Sequence, residues 1–229
     1  MLAKIAKLAL IHTPCITANR YFKQSISQAR SLAVLRGGEA GTPLCYSSAM
    51  EFAIREANLA DAAAIAHVHV ASWKTTYSGV VPDAYIDSLN QVERTQTWEE
   101  WFRTAPMSVF VAEDAAGIFG FANGGAIRGQ VGEPGEYDAE LYAIYLLQAS
   151  QRRGAGRALT QALASSLARK GFRSMVVWVL EQNPAVQFYQ CLGAVPVARQ
   201  NIQIGGLDLA EIALGWPRLD RLISPEPCC

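Results

Sequence analysis

Apolar residues in this chain form two kinds of pattern, continuous runs and helically spaced positions. The runs at residues 141–147 and 174–180 contain branched and aromatic side chains, which predicts buried strands. Between them, residues 155–170 carry apolar side chains at helical spacing and are followed by Gly171, which predicts a helix with a glycine stop. The pattern therefore predicts a strand–helix–strand unit in the second half of the chain.

The same periodicity extends this unit over most of the chain. Its order, β-α-α-β-β-β-α-β-α-β-β, predicts one α/β domain without internal repeats. The other predicted elements are a strand at 52–55, a helix capped by Asn58, a helical stretch at 83–89, a helix with Trp98, Trp101 and Phe102 in its core face, a hairpin of 108–113 with 118–127, a short helix at 184–191, and a hairpin of 195–204 with 207–214.

Charge separates the first 49 residues from the rest of the chain. Residues 1–49 carry six Lys or Arg and one acid, whereas residues 50–229 carry fourteen Lys or Arg and nineteen acids. Three interpretations of this basic segment compete: it lies upstream of a true start at Met50, it is an organelle-targeting peptide, or it is a disordered arm. We exclude it from the fold. We therefore predict an extension at 1–49, a domain at 50–218 and a tail at 219–229.

Composition excludes several functional classes. Half of the residues are apolar and the formal net charge is zero, which argues against a nucleic-acid partner, and no apolar run is long enough to span a membrane. The five Cys form neither a metal spacing nor an even disulfide set, which indicates reduced thiols and a cytoplasmic protein. The three His form no ligand cluster, so no metal is expected.

A glycine-bearing turn, Gln151-Arg152-Arg153-Gly154-Ala155-Gly156-Arg157-Ala158-Leu159, joins the first of the two strands to the helix. Unpaired amides and the helix dipole at such a turn favour a phosphate, and three arginines add positive charge. A P-loop would need Lys and Ser or Thr where Arg157 and Ala158 stand, and a dinucleotide fingerprint would need glycine near Leu159. The turn is therefore a different anion-binding loop or an ordinary turn.

A second motif follows about thirty residues later. After the second strand comes Asn183-Pro184, then Phe188-Tyr189, then Leu192-Gly193. Asn183 is expected as the N-cap of a short helix, Pro184 as its first residue, and Gly193 as its stop.

The two motifs together resemble the coenzyme-binding motifs of the GNAT superfamily of N-acetyltransferases, over roughly residues 51–216. The resemblance implies an α/β (α+β) fold with a mixed, mostly antiparallel sheet that is splayed at the strand before the coenzyme loop and flanked by helices. It also implies acetyl-CoA as co-substrate and direct attack by an amine in a ternary complex, with no metal.

The resemblance assigns roles to particular residues. Main-chain groups of Ile144, Tyr145 and Leu146 are expected to pair with the pantetheine arm and to supply the oxyanion N–H. The coenzyme pyrophosphate is expected on Arg152, Arg153, Gly154, Ala155, Gly156 and Arg157, and the coenzyme arm on Asn183. Tyr189 is expected to protonate the sulfur, and Glu140 is the candidate general base. Candidates for the acceptor pocket are Trp73, Tyr77, Glu113 and Tyr142.

The function predicted from the sequence is thus acetyl transfer to a primary amine, either a small molecule or a peptide N-terminus. An acyl-CoA-binding sensor without catalysis on the same fold is the alternative. A role in nucleic-acid binding would require the basic extension, residues 1–49. The predicted partners include neither nucleic acid nor a membrane, and a homodimer is compatible with the domain.

Overall fold

A computed structural model describes residues 52–224 of the chain. The expectations for residues 1–49 and for a start at Met50 lie outside these residues. No helix within residues 52–224 is both long and apolar enough to cross a bilayer.

Seven strands form one sheet, in the order β1-β2-β3-β4-β5-β7-β6. Only β4 and β5 are parallel neighbours, and every other pair is antiparallel, so the predicted mostly antiparallel mixed sheet is confirmed. The strands are β1 (Ala53–Glu56), β2 (Ser108–Asp114), β3 (Gly117–Ala126), β4 (Ala139–Leu146), β5 (Met175–Leu180), β6 (Val195–Ile204) and β7 (Leu207–Trp216).

Six α-helices accompany the sheet within residues 52–224. They are α1 (Ala62–Thr76), α2 (Asp83–Asp87), α3 (Gln91–Thr104), α4 (Ala155–Arg169), α5 (Ala185–Cys191) and α6 (Leu219–Ile223). Asn58 caps a short 3-10 turn before α1: its side chain accepts from the Ala60 amide, and its own main-chain amide donates to the Asp61 carboxylate. Helix α6 falls in the predicted tail, where Leu219 and Leu222 are buried, so packed structure continues to Ile223.

The helices cover opposite faces of the sheet. On one face, α1 and α3 pack against β2, β3 and β4 around Ile65, Trp98 and Phe121. On the other face, α4 lays Leu159 and Leu163 against the sheet. This three-layer arrangement buries both faces, which explains why the central strands are almost continuously apolar.

A bulge in β4 opens the sheet beside β5. Asn123 pairs with Ala143 and Gly124 pairs with Leu141, so Tyr142 is the extra residue in β4. Pairing between β4 and β5 covers three residues and ends at Leu141 and Val177. Beyond that point the two strands diverge, and a cleft penetrates the sheet from one helical layer to the other.

Candidate functional site

A cavity of about 850 Å³ occupies the gap between β4 and β5. The side facing α4 and α5 is called the coenzyme wall here, and the side facing α1 and α3 the acceptor wall. The coenzyme wall includes Ile144, Leu146, Gln151, Arg152, Gly154, Gly156, Arg157, Val179, Asn183, Phe188, Tyr189 and Leu192. The acceptor wall includes His69, Trp73, Tyr77, Trp98, Trp101, Asn123, Arg128, Glu140, Tyr142, Tyr145 and Glu211.

The turn before α4 has a backbone shape that requires glycine. Gly154 lies at φ +86°, a left-handed conformation, and Arg152 before it lies at φ +60°. A side-chain carbon on Gly154 would meet nothing within 4 Å, so this residue faces open space. The first helical bond runs from the Ala158 amide to the Gly154 carbonyl, at 3.1 Å, and the preceding amides of the first turn have no partner within the helix.

Gly156 serves a different purpose, because it lets three elements approach closely. A Cβ atom there would lie 3.3 Å from Phe188 of α5 and 3.7 Å from Leu146 of β4. The start of α4 is therefore held between the end of β4 and α5. This position brings the dipole of a fifteen-residue helix to the mouth of the cleft.

The three arginines of the turn do not act alike. Arg152 and Arg157 are exposed and line the cavity. Arg153 is directed instead to the β2–β3 hairpin, where it pairs with Asp114 at 3.1 Å and its guanidinium lies 5.0 Å from the Phe119 ring centre. The pKa of Asp114 is lowered by the Ala116 amide first and by Arg153 second. The Arg153 side chain therefore fastens the turn to the sheet, contrary to its expected place against the pyrophosphate.

Ala155 is also directed away from the cleft, since its side chain is buried in the core against the sheet. For Arg153 and Ala155, the sequence-based assignment to coenzyme binding is therefore confined to their main-chain groups. Their side chains set the position of the turn.

The free edge of β4 is the second feature of the coenzyme wall. Ile144, Tyr145 and Leu146 pair with β3 on one side and line the cavity on the other. The Leu146 carbonyl accepts from Ser72 Oγ at 3.1 Å and from Gln151 Nε2 at 3.3 Å. The strand is thus fixed at its end while its edge beyond Leu141 faces the cleft rather than β5.

Asn183 connects the two walls. Its Oδ1 accepts from the Ala185 amide at 2.9 Å, while its Nδ2 donates to the Tyr77 hydroxyl at 3.2 Å. Helix α5 begins at Ala185 with Pro184 in the cap position, so the prediction that Asn183 is the N-cap was off by one residue. The bond from the Ala185 amide is nevertheless the one expected of a capping side chain.

Tyr189 of α5 is buried and lines the cavity between Phe188 and Trp216, whose ring centres lie 5.2 Å and 6.0 Å away. Burial raises the pKa of Tyr189 well above its ordinary value, and the nearby Tyr77 adds to this effect. The phenol keeps its proton near pH 7, as tyrosine ordinarily does, and can donate a hydrogen bond.

A chain of hydrogen bonds joins the acceptor wall to Asn183. Trp73 Nε1 donates to the Tyr145 hydroxyl at 2.9 Å, and Tyr145 donates to Tyr77. Burial raises the pKa of both phenols. Trp73, Tyr77 and Tyr142 line the cavity as the sequence predicted, but the phenol of Tyr145 was not foreseen, because only its main chain had been considered.

Glu140 is buried and held by one arginine. Its carboxylate accepts from the Arg128 amide at 3.1 Å and from Arg128 Nε at 3.2 Å, and it pairs with Arg128 Nη2 at 2.5 Å. The guanidinium also lies 4.0 Å from the centre of the Tyr142 ring. Both carboxylate oxygens are therefore engaged by Arg128, which argues against the expected role of Glu140 as base.

A second buried carboxylate, Glu211 of β7, lies on the same cavity and was missed from the sequence. It pairs in register with Leu180 of β5 and accepts from Gln200 Nε2 at 2.6 Å. It contributes to the raised pKa of Tyr77, which shows that the two groups interact electrostatically. The sequence did contain a signal for Glu211: it is the one acid within the otherwise apolar segment 209–214 of the predicted closing strand.

Glu113 does not belong to the site. It lies on β2 opposite Ala53 of β1 and pairs with Arg55 at 2.8 Å, at the edge of the sheet remote from β5. The expectation that Glu113 lines the acceptor pocket was therefore wrong. Its charge is used in an ion-pair cluster with Arg55 and Asp61, in which Arg55 lowers the pKa of Asp61.

Three further polar side chains of the acceptor wall are buried: His69 of α1, Trp98 of α3 and Asn123 of β3. The His69 ring lies 5.1 Å from that of Tyr145 and 6.5 Å from that of Trp98. Burial is the main reason that the pKa of His69 is well below 6.5, and the charge of Arg94 adds to it. Sequence spacing gave no sign of this group, because its members come from three distant elements.

No group of three or more His, Cys, Asp or Glu side chains in residues 52–224 is arranged to hold a metal ion. The polar groups that line the cavity include carboxylates, phenols and main-chain amides.

Known proteins resemble this chain in sequence and in fold. The family model described as FR47-like protein matches residues 123–200, which include β4, the turn and Asn183. "Uncharacterized N-acetyltransferase YuaI" of Bacillus subtilis (strain 168) is 49% identical over 170 residues, covering 74% of this chain and 95% of that protein.

Solved structures show the same fold. That of yncA from Salmonella typhimurium, described as a putative acetyltransferase with its cofactor acetyl-CoA, has a TM-score of 0.57 and 26% identity, covering 78% of this chain and 99% of the other. PaiA N-acetyltransferase from Thermoplasma acidophilum in complex with coenzyme A has a TM-score of 0.52 and 19% identity, covering 71% and 98%.

Proposed function

Because this chain belongs to the GNAT superfamily and is an acetyltransferase of that type, we propose that it moves the acetyl group of acetyl-CoA to a primary amine by direct attack. The observation that carries the proposal is the cleft between β4 and β5. It joins an anion-binding turn on one face of the sheet to a buried polar cavity on the other. A reaction between two separately bound substrates needs such an opening.

The coenzyme wall fits the chemistry of acetyl-CoA. The first-turn amides of α4 and the exposed Arg152 and Arg157 suit a pyrophosphate, and the left-handed Gly154 leaves room for it. The free edge of β4 suits an amide-containing arm, since an extended chain can pair with a strand edge. When bound, acetyl-CoA supplies the activated acetyl group.

An amine is mostly protonated at neutral pH, so the acceptor must lose a proton before it attacks. We assign this step to a carboxylate on the acceptor wall. Glu140 was the candidate from sequence, but its pairing with Arg128 favours a role in shaping the wall. Glu211 is the better candidate, because it lies on the same cavity, and a neutral side chain, Gln200, is one of its hydrogen-bond partners.

The remaining roles follow from the positions of polar groups. A main-chain N–H of β4 near Tyr145 stabilises the negative charge that develops on the carbonyl oxygen. Tyr189, whose buried phenol lines the cavity, donates its proton to the departing sulfur. The amine nitrogen forms a bond to the carbonyl carbon, the carbon–sulfur bond breaks, and one proton is released overall.

Coenzyme binding and acetyl transfer can be tested separately. Calorimetry with acetyl-CoA and then with coenzyme A measures the first, and thiol release over a broad panel of primary amines measures the second. Binding together with amine-dependent release is the expected result. Binding without release for every amine would contradict the enzyme and favour the alternative of a sensor, and absence of binding would contradict both.

A further inference from the structure

The buried polar side chains of the acceptor wall form a distinct group, the polar corner, defined by His69, Trp98 and Asn123. Asn123 is 0% exposed, Trp98 is 1% exposed and His69 is 7% exposed. Even so, Asn123 Oδ1, Trp98 Nε1 and His69 Nδ1 have no hydrogen-bond partner among residues 52–224. All three residues line the cavity.

Such a concentration of unsatisfied polar atoms is unusual in a protein interior. A buried donor or acceptor without a partner costs about 1–3 kcal/mol, so most buried polar groups are satisfied. Aromatic rings surround the corner: Tyr145 and Phe121 flank His69, and Trp101 lies against Trp98. A ligand whose polar atoms reach the corner, with a small shift of the surrounding side chains, gains free energy by supplying the missing bonds.

The missing bonds define the chemistry of that ligand. Trp98 Nε1 can only donate, and Asn123 Oδ1 can only accept. Arg128 Nη1, on another residue that lines this cavity, is a further buried donor without a partner among the described residues. A primary carboxamide meets all of these needs, because its oxygen accepts two bonds while its nitrogen donates.

Charge in the surroundings excludes other groups. A cationic end would share the cavity with the guanidinium of Arg128, and the charge of Arg94 also acts on His69 in the corner. An anionic end would be buried beside Glu140, which already neutralises Arg128. Burial of an uncompensated charge is costly, whereas burial of a neutral amide with its hydrogen bonds made is not.

We propose that the polar corner binds an uncharged amide group on the acceptor, so that the substrates are primary amines carrying a carboxamide a few bonds away. The inference rests on the proposed function and names the substrate class of that site. The reacting carbonyl is expected beside the main chain near Tyr145. Asn123 of the corner pairs with Ala143, which lies two residues from Tyr145 along β4, and two residues of a strand span ~7 Å. This distance suits an amine and an amide separated by three or four bonds.

Four amines of matched length test the proposal: 4-aminobutanamide, pentylamine, 4-aminobutanoate and 1,4-diaminobutane. We expect kcat/KM for the amide to exceed that for each of the others by about tenfold or more, because the apolar analogue leaves buried groups unpaired. Equal values of kcat/KM for the amide and pentylamine would overturn the proposal, because they would show that the corner does not bind the amide group. A preference for the anion or the cation would also overturn it.

Two substitutions assign the preference to the corner. Asn123→Leu should reduce the advantage of the amide over pentylamine about tenfold, and Trp98→Phe should do the same by removing one donor from a ring of similar shape. Trp216→Phe is the matched control, since it makes the same change on a buried ring that does not line the cavity and should leave the ratio unaltered. An unaltered ratio in folded Trp98→Phe and Asn123→Leu proteins would contradict the assignment.

The acetylated products give a readout that needs no turnover. With coenzyme A present, calorimetry should show N-acetyl-4-aminobutanamide binding about tenfold more tightly than N-pentylacetamide. If no amine is acetylated but this difference is found, the proposed function fails and the amide site stands. If amines are acetylated without this difference, the amide site fails alone.

Discussion

The two walls of the cleft differ in how they are built. The coenzyme wall is built largely from main-chain groups of three continuous segments: the end of β4, the glycine-bearing turn at residues 151–157 and the start of α5. The acceptor wall uses side chains from α1, α3, β3, β4 and β7, which meet only in the folded protein. The difference suggests that the coenzyme wall binds the pyrophosphate and amide-containing arm of the acyl carrier, while the acceptor wall determines which amine binds. The substitutions below separate the two walls, because each changes a residue of one wall or of their junction and compares binding, turnover or stability with wild type.

The largest effect is expected from Gly154→Glu. A left-handed backbone with a large side chain costs on the order of 1–3 kcal/mol, and the new negative charge opposes both the helix dipole and the pyrophosphate. Affinity for coenzyme A should fall about 100-fold or more by calorimetry. Gly171→Glu is the control, because Gly171 is also left-handed and open but lies beyond the other end of α4. Normal affinity in folded Gly154→Glu would exclude the turn as the binding site.

On the acceptor wall, the two buried carboxylates should respond differently to neutralisation. Glu211→Gln should lower kcat about 100-fold and remove the acidic limb of the pH–rate profile, if this carboxylate takes the proton. Glu140→Gln is the matched variant in the same cavity, and should raise KM for the amine while the acidic limb persists. Tyr77, which follows α1, is a titratable group that interacts with Glu211, whereas the neighbouring β5 carries no titratable side chain. A reversed pattern would make Glu140 the base.

Tyr189→Phe tests the junction of the two walls. Loss of the hydroxyl should lower kcat roughly tenfold, because one hydrogen bond to a developing thiolate is lost, while affinity for coenzyme A changes little. The control is Tyr137→Phe, since Tyr137 is a buried phenol packed against Gly215 outside the cavity. Equal turnover in wild type and Tyr189→Phe would reduce Tyr189 to a packing residue.

A smaller effect separates neighbouring arginines of the turn. Arg152→Met should weaken coenzyme A binding about fivefold in low salt, because an exposed ion pair contributes little and is screened. Arg153→Met should leave the intrinsic affinity nearly unchanged but lower the melting temperature, since Arg153 ties the turn to Asp114. The same loss of affinity in both variants, with no loss of stability, would refute this division.

The smallest effect concerns stability and pH. The pKa of His69 is held well below 6.5 in the folded protein, so the unfolded chain binds the extra proton first as pH falls. Stability contributed by neutral His69 should therefore be complete above pH ~6.5 and decline below it. His69→Gln should flatten the dependence of melting temperature on pH between about 6.5 and 5. A slope equal to that of wild type would show that other groups cause it.

What could be predicted from sequence follows the same division. Gly154, Gly156 and Asn183 were predicted to form the coenzyme wall, because turns and caps depend on local backbone chemistry, and most of the order of elements along the chain followed from periodicity. The resemblance implied a sheet that is splayed at β4, but the position of the bulge at Tyr142 and the polar corner could not be predicted, since they depend on strand register and on contacts between distant elements. The side-chain partners of Arg153 and Glu140 could not be predicted either, because charge in a sequence does not reveal which partner it will meet.

Amide hydrogen exchange with and without coenzyme A shows whether the coenzyme binds between the free edge of β4 and the first turn of α4. Exchange is expected to slow in the segments 142–146 and 152–158, which form these two features. Little change is expected in β1 and β2, at the remote edge of the sheet. Unaltered exchange in both segments at saturating coenzyme A would contradict binding in this cleft.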